Sequence, residues 1–273
     1  MKKIGVSLGG GGAKGFAHIP FLKVFDELDI RPHIISGTSI GAILGAFYAS
    51  GLSGVEIHEK LMDIGFLDFL KLVDFTGLRQ SGLIKGRGVE KFLEKHLPVK
   101  RFEDLKIPMK IVATDFWERK EMIFSKGDLI PAIRASISMP GIFSPFELDD
   151  RIYIDGGAVN PLPFDIITED CDIVIAIDVS GERIPNDDTN FPGFINTVLN
   201  TFQIMQSSIV SGKISKYIPH IYMKPRLENF KVLEFDKFEY IIESVVDDAA
   251  IFKSRLISVL MYTEETIRAA EEI

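Results

Sequence analysis

Four consecutive glycines, Gly9 to Gly12, stand between a short apolar run, Ile4–Leu8, and a segment with helical spacing. Glycine costs conformational entropy and is used where φ must be positive or where another group approaches the main chain closely. A run of four suggests that the backbone N–H groups are the working parts, aimed at a phosphate or at an oxyanion formed during a reaction. The same run fixes the local order as strand, loop, helix.

The rest of the chain continues that rhythm. Phe16, Ile19, Phe21, Leu22, Val24, Phe25 and Leu28 recur at helical spacing and predict an amphipathic helix over Ala13–Leu28. His33–Ser36 reads as a second strand, and Ile40–Ser50 as a helix capped by Gly51. Further strands are expected at Lys110–Asp115, Arg151–Ile154 and Ile173–Asp178, with helical patterns at Gly88–His96 and Pro131–Ser138. Glu182–Pro192 reads as a long loop, followed by a helix near Phe194–Ser211, a strand near Ile221–Lys224 and a long terminal helix from about Asp236. This alternation predicts an α/β fold with a mostly parallel sheet covered by helices. With 273 residues, 46% of them hydrophobic, and no visible repeat or linker, the expectation is one domain over 1–273.

A net charge of −8 argues against a nucleic-acid partner, because neutralising phosphates needs a basic face. Any contact with a membrane has to be mainly hydrophobic. The single cysteine, Cys171, can form no internal disulfide, which fits a reducing, cytoplasmic setting. Met1-Lys2-Lys3 mimics the start of a signal peptide, but the apolar stretch breaks at the glycines. No window approaches the ~18 uninterrupted apolar residues of a membrane span.

The glycine loop has three readings. Gly10-Gly11-Gly12-Ala13-Lys14-Gly15 fits G-x-G-x-x-G, but a dinucleotide site needs an acid at the end of the second strand, where Ser36-Gly37-Thr38 stands. A phosphate-binding P-loop requires G-K-[ST], and Lys14 is flanked by Ala13 and Gly15. The third reading aims the amides of Gly10, Gly11 and Gly12 at an oxyanion. It gains support from Gly37-Thr38-Ser39-Ile40-Gly41, a G-x-S-x-G pattern between strand and helix that would expose the Ser39 hydroxyl on a sharp turn. A serine hydroxyl needs a base. Of the five histidines, His220 alone follows both candidate acids, Asp155 and Asp178, as an α/β-hydrolase order requires, and His18 falls on a packed helix face. Asp155, followed by Gly156-Gly157 at a strand end, is the alternative base, with Asp178 the second choice.

These three motifs, in this order, resemble the patatin-like phospholipase family, as does nearly all of "AIRASISMPGIFSPFELDDRIYIDGGAVNPLP". The likeness is firm over residues 3–180 and weaker over the helical part 190–273. It implies a three-layer α/β/α sandwich and a lipid acyl hydrolase acting through a Ser39–Asp155 dyad, without a catalytic histidine, metal or cofactor. The amides of Gly10, Gly11 and Gly12 would hold the oxyanion, with Gly15, Gly37, Gly41, Gly156 and Gly157 supporting the turns. The implied partner is a lipid or other acyl ester, with peripheral contact to a membrane or lipid aggregate. Asp155-Gly156-Gly157 has glycine where many relatives have alanine. Lys14 is expected as a solvated first-turn residue, Arg134 as partner to a carboxylate that positions its loop, and Cys171 as a small buried residue. The apolar run Ile64–Leu78 reads either as a buried helix or as an acyl-binding wall or lid.

Overall fold

The computed structural model describes residues 2–63, 86–182, 184 and 191–271, so the run Ile64–Leu78 lies outside the described residues. Eight strands form one sheet: β1 (Ile4–Leu8), β2 (Ile34–Thr38), β3 (Met109–Asp115), β4 (Lys120–Phe124), β5 (Phe146–Leu148), β6 (Arg151–Asp155), β7 (Ile173–Ile177) and β8 (Ile221–Met223). Helices α1 (His18–Glu27), α2 (Ile40–Ala49), α3 (Gly54–Asp63), α4 (Arg87–His96), α5 (Leu129–Ser136), α6 (Phe194–Ile214), α7 (Phe238–Ser244) and α8 (Val246–Glu271) cover it. Among the described residues no helix is long and apolar enough to cross a membrane.

Five strands, in the order β3-β2-β1-β7-β8, run parallel. Their side chains are buried on both faces, as a parallel sheet demands. In β7, Ile173, Ile175 and Ile177 join the larger core with α1, α2, α7 and α8, whereas Val174 and Ala176 face Leu162, Phe164, Ile167 and Val210 of α6. Helical material therefore lies on both faces of the sheet, giving three layers. Each fully buried Ile, Leu or Phe contributes roughly 1.5–3 kcal/mol.

The other end of the sheet is antiparallel, through β4, β5 and β6. β5 and β6 are joined by Asp149 and Asp150, both at positive φ (51° and 58°), the conformation of a two-residue hairpin turn. Neither β4 nor β5 stood out in the sequence, being a charged edge strand and a three-residue one. β3 borders β2 up to Thr38 opposite Val112, then borders β6 from Asp155 opposite Ala113 onward, while β4 takes its other edge. The residue after Thr38 and the carboxylate of Asp155 thus meet end to end along one strand.

The expected helix Ala13–Leu28 is divided. A 3-10 turn, Gly12–Ala17, comes first, and the α-helix begins only at His18. Pro20 explains the delay, since proline lacks an N–H and is tolerated in the first turn of a helix but not inside it.

Candidate active site

Ser39 follows β2 directly and precedes the first residue of α2. Its backbone is forced to φ 55°, ψ −123°, a region that costs a non-glycine residue about 1–3 kcal/mol. Ser136 holds it there: the Ser39 N–H donates to Ser136 Oγ at 2.9 Å, and that hydroxyl donates to the Val112 carbonyl at 2.6 Å. The turn brings the chain back so closely that a side chain on Gly41 would collide with the Leu8 carbonyl. Gly37 stands across from Gly41 in the same turn, and Gly15 packs on Ile40.

The Ser39 hydroxyl donates to Asp155 Oδ2 at 2.7 Å. Asp155 Oδ1 accepts the Gly157 N–H at 2.7 Å, so one carboxylate forms a local turn and reaches the serine at once. Its own N–H donates to the Ser138 carbonyl at 3.0 Å, and its carbonyl accepts the Thr114 hydroxyl at 2.9 Å. Burial pushes the Asp155 pKa up to about 6, against the lowering effect of the two donors.

The glycine loop forms the third wall. The Gly10 amide donates to the Pro161 carbonyl at 2.9 Å, and the Ala13 amide to Val232 at 2.8 Å. Gly11 and Gly12, between them, line the pocket that contains Ser39 and Asp155. This corrects the expectation for Gly10, whose donor is spent on anchoring the loop. Gly12 has φ +59°, and a side chain there would strike Val232.

The histidines and Asp178 lie elsewhere. His18 is buried, with its pKa pushed down to about 4 by burial, and its Nε2–H faces the Gly9 carbonyl at 2.9 Å. It is a neutral prop for the loop. His220 Nδ1 accepts the Val174 N–H at 3.1 Å, near the start of β7, at the end of the sheet opposite the loop. Asp178 is engaged through both oxygens, by Tyr222 Oη at 2.7 Å and the Ser180 N–H at 2.9 Å.

Lys14 is also corrected: it is buried, not solvated. The first turn packs beneath residues 178–181, so its ammonium donates to the Ser180 carbonyl, and burial lowers its pKa to about 8. Arg134 is buried as well. It lies 3.7 Å from Glu90 but bonds Ser138 Oγ at 2.7 Å and the Ser144 carbonyl at 3.2 Å, steadying the loop whose Ser138 carbonyl holds Asp155. Cys171 is half-buried against Gly5, with its thiol pKa raised to about 11, mainly by burial.

Two groups of residues around the serine carried no motif. Ser180, just beyond the end of β7, lines the pocket, and among the described residues its buried hydroxyl has no hydrogen-bond partner. The rule that ligands bind beyond the carboxyl ends of parallel strands would have pointed to it. The roof is Met139, Val232 and three residues of α6: Phe202, Gln203 and Gln206. The Gln206 amide fills the space that a side chain on Gly157 would need. Under this roof the cavity measures only about 10 Å³, room for one water. A separate hollow of about 390 Å³, lined by Thr114, Phe116, Trp117, Arg119, Ile154 and Val159, contains none of the candidate residues.

Residues 6–168, which carry the glycine loop, Ser39 and Asp155, match the patatin-like phospholipase family profile. The chain belongs to that family. An uncharacterized NTE family protein of Mycobacterium tuberculosis is 32% identical over 182 residues, covering 66% of this chain and 50% of the relative. Lysophospholipase NTE1 of Candida glabrata is 30% identical over 278 residues, covering 93% of this chain and 16% of the relative. The chain thus spans half or less of the length of these relatives. Among solved structures, VipD from Legionella pneumophila shares the patatin-like fold, with a TM-score of 0.54 and 14% identity over 93% of this chain and 66% of that one. The family match ends before Ser180, α6 and Val232, so part of the pocket wall and most of its roof lie outside it.

Proposed function

We propose that the chain is a serine hydrolase that cleaves carboxylic esters of lipids, with Ser39 as nucleophile and Asp155 as base. The observation that carries this reading is the 2.7 Å hydrogen bond from the Ser39 hydroxyl to Asp155. Family membership supports it, as does the name of the Candida glabrata relative, a lysophospholipase.

In the first half-reaction Ser39 Oγ attacks the ester carbonyl carbon and its proton passes to Asp155 Oδ2. The carbonyl π electrons move onto oxygen, and the Gly11 and Gly12 amides stabilise that oxyanion, each by about 3 kcal/mol. Collapse breaks the bond to the leaving alcohol, which takes the proton from Asp155, and an acyl-serine remains. Water then attacks the acyl carbon, gives its proton to Asp155, and the acid leaves as Ser39 recovers its hydrogen. An ordinary aspartate is a weak base for this work. Burial raises the Asp155 pKa to about 6, which increases its basicity while leaving it mostly ionised at neutral pH.

Turnover of p-nitrophenyl butyrate, and fatty-acid release from lysophosphatidylcholine, test the reading. Ser39→Ala should reduce both by on the order of a thousandfold or more while the fold is retained. Unchanged turnover in that variant, or none in the parent on either ester, would overturn it.

A further inference from the structure

Helix α6 presents two unlike faces. Leu199 and Val210 are buried, and Phe202, Gln203 and Gln206 close the pocket over Ser39 and Asp155. The free space beneath them is only about 10 Å³, so the roof side chains narrow the way to Ser39. The outward face carries Phe194 (80% exposed), Ile204 (67%) and Met205 (56%), and Phe191 (98%) stands just before the helix.

Charge is missing from this segment. Residues 191–212 contain no Asp, Glu, Lys or Arg, where the chain average of 26% would put about six. A helix with one face on the protein and the other in water ordinarily carries its charges on the wet face. Here the exposed polar positions beside Phe194, Ile204 and Met205 are Asn196, Thr197, Asn200, Thr201, Ser207 and Ser208, all uncharged. Such a face can enter a lipid layer without stripping water from an ion, which would otherwise be the largest cost of insertion. The chain's net charge of −8 opposes an anionic surface and favours a neutral one.

We propose that the outer face of α6 docks on a neutral, zwitterionic lipid surface, and that docking draws Phe202, Gln203 and Gln206 away from Ser39. This rests on the lipid-ester reading above. One helix thus both narrows the way to Ser39 and senses the surface where the substrate resides. The apolar side chains of Phe194, Ile204 and Met205 supply the binding energy, which scales with the area they bury.

Phosphatidylcholine vesicles test it with the full chain. The parent should co-sediment with the vesicles. Ile204→Glu combined with Met205→Glu should weaken that binding, and vesicle hydrolysis with it, by about tenfold or more. Neither residue touches the pocket, so turnover of monomeric p-nitrophenyl butyrate should stay within about twofold. Phe194→Glu, at the other end of the helix, repeats the test if the double variant fails to fold. Ser39→Ala should bind vesicles like the parent, which separates docking from catalysis. Vesicle binding without hydrolysis of any ester would refute the hydrolase and leave the docking face standing. Equal vesicle binding by parent and charged variants would overturn the proposal. So would a parent dimer that the charged variants convert to monomer, since a second copy would then cover α6.

Discussion

Ser39 and Asp155 are fixed by main-chain bonds, with the Ser39 N–H held by Ser136, the Asp155 N–H by Ser138 and the Gly10 N–H by Pro161. Helix α6 meets the same pocket through the side chains of Phe202, Gln203 and Gln206. The floor is held by inter-element hydrogen bonds in the dry interior, where a broken one costs roughly 1–3 kcal/mol. Along the pocket the roof packs through apolar contacts such as Leu199 with Met139 and Val232, and an ion pair, Lys213 to Asp165 at 2.6 Å, ties down the far end of the helix. On the proposed reading, the reacting groups sit on the hydrogen-bonded floor, and access to them runs past side chains of α6.

Breaking the floor at its acid should have the largest effect. Asp155→Asn keeps size and shape but removes the base, so ester turnover should fall about as far as in Ser39→Ala, on the order of a thousandfold. Stability should move the other way. The Asp155 carboxyl is raised to about 6 in the folded chain against roughly 3.9 unfolded, so the folded state binds the extra proton between those values. Stability therefore declines as pH rises through that window, by on the order of 3 kcal/mol at pH 7, and the asparagine variant escapes that loss. Thermal melts should place Asp155→Asn at or above the parent at pH 7, with the gap closing toward pH 4.

Gly12→Val sharpens the comparison by striking the loop. With φ +59° and Val232 in the way, a β-branched side chain displaces the loop amides that the proposed reaction needs for the oxyanion. The rate constant kcat should fall about a hundredfold with KM changing far less, because the oxyanion exists only after attack. Phe202→Ala, in the roof, should act least and in the opposite sense. Removing that ring widens the entrance, so turnover of p-nitrophenyl butyrate should rise a few-fold, at a stability cost of about 1 kcal/mol.

The same contrast explains what the sequence revealed. The floor was legible because close backbone crossings and a strained turn demand particular residues: Gly41 over Leu8, Ser39 at positive φ, glycines after Asp155. The motif did not show that the Gly10 donor is taken by Pro161, about 150 residues along the chain. Lys14 was misread for the same reason: Ser180, which buries it, arrives from β7. Short edge strands such as Phe146–Leu148 carry too little alternation to register. The roof left no motif because packing against a pocket needs only residues of suitable size, and Phe202, Gln203 and Gln206 meet that need without a fixed pattern.

Reaction with a fluorophosphonate, followed by peptide mapping, tests the dyad most directly, because the probe needs only an activated serine and an oxyanion site. The adduct should form on Ser39 alone. Its rate should climb with pH through an apparent pKa near 6, as Asp155 loses its proton. In Asp155→Asn the labelling should slow by on the order of a hundredfold or more and lose that pH dependence. An adduct on any other residue, or parental labelling of Ser39 in Asp155→Asn, would contradict the assignment.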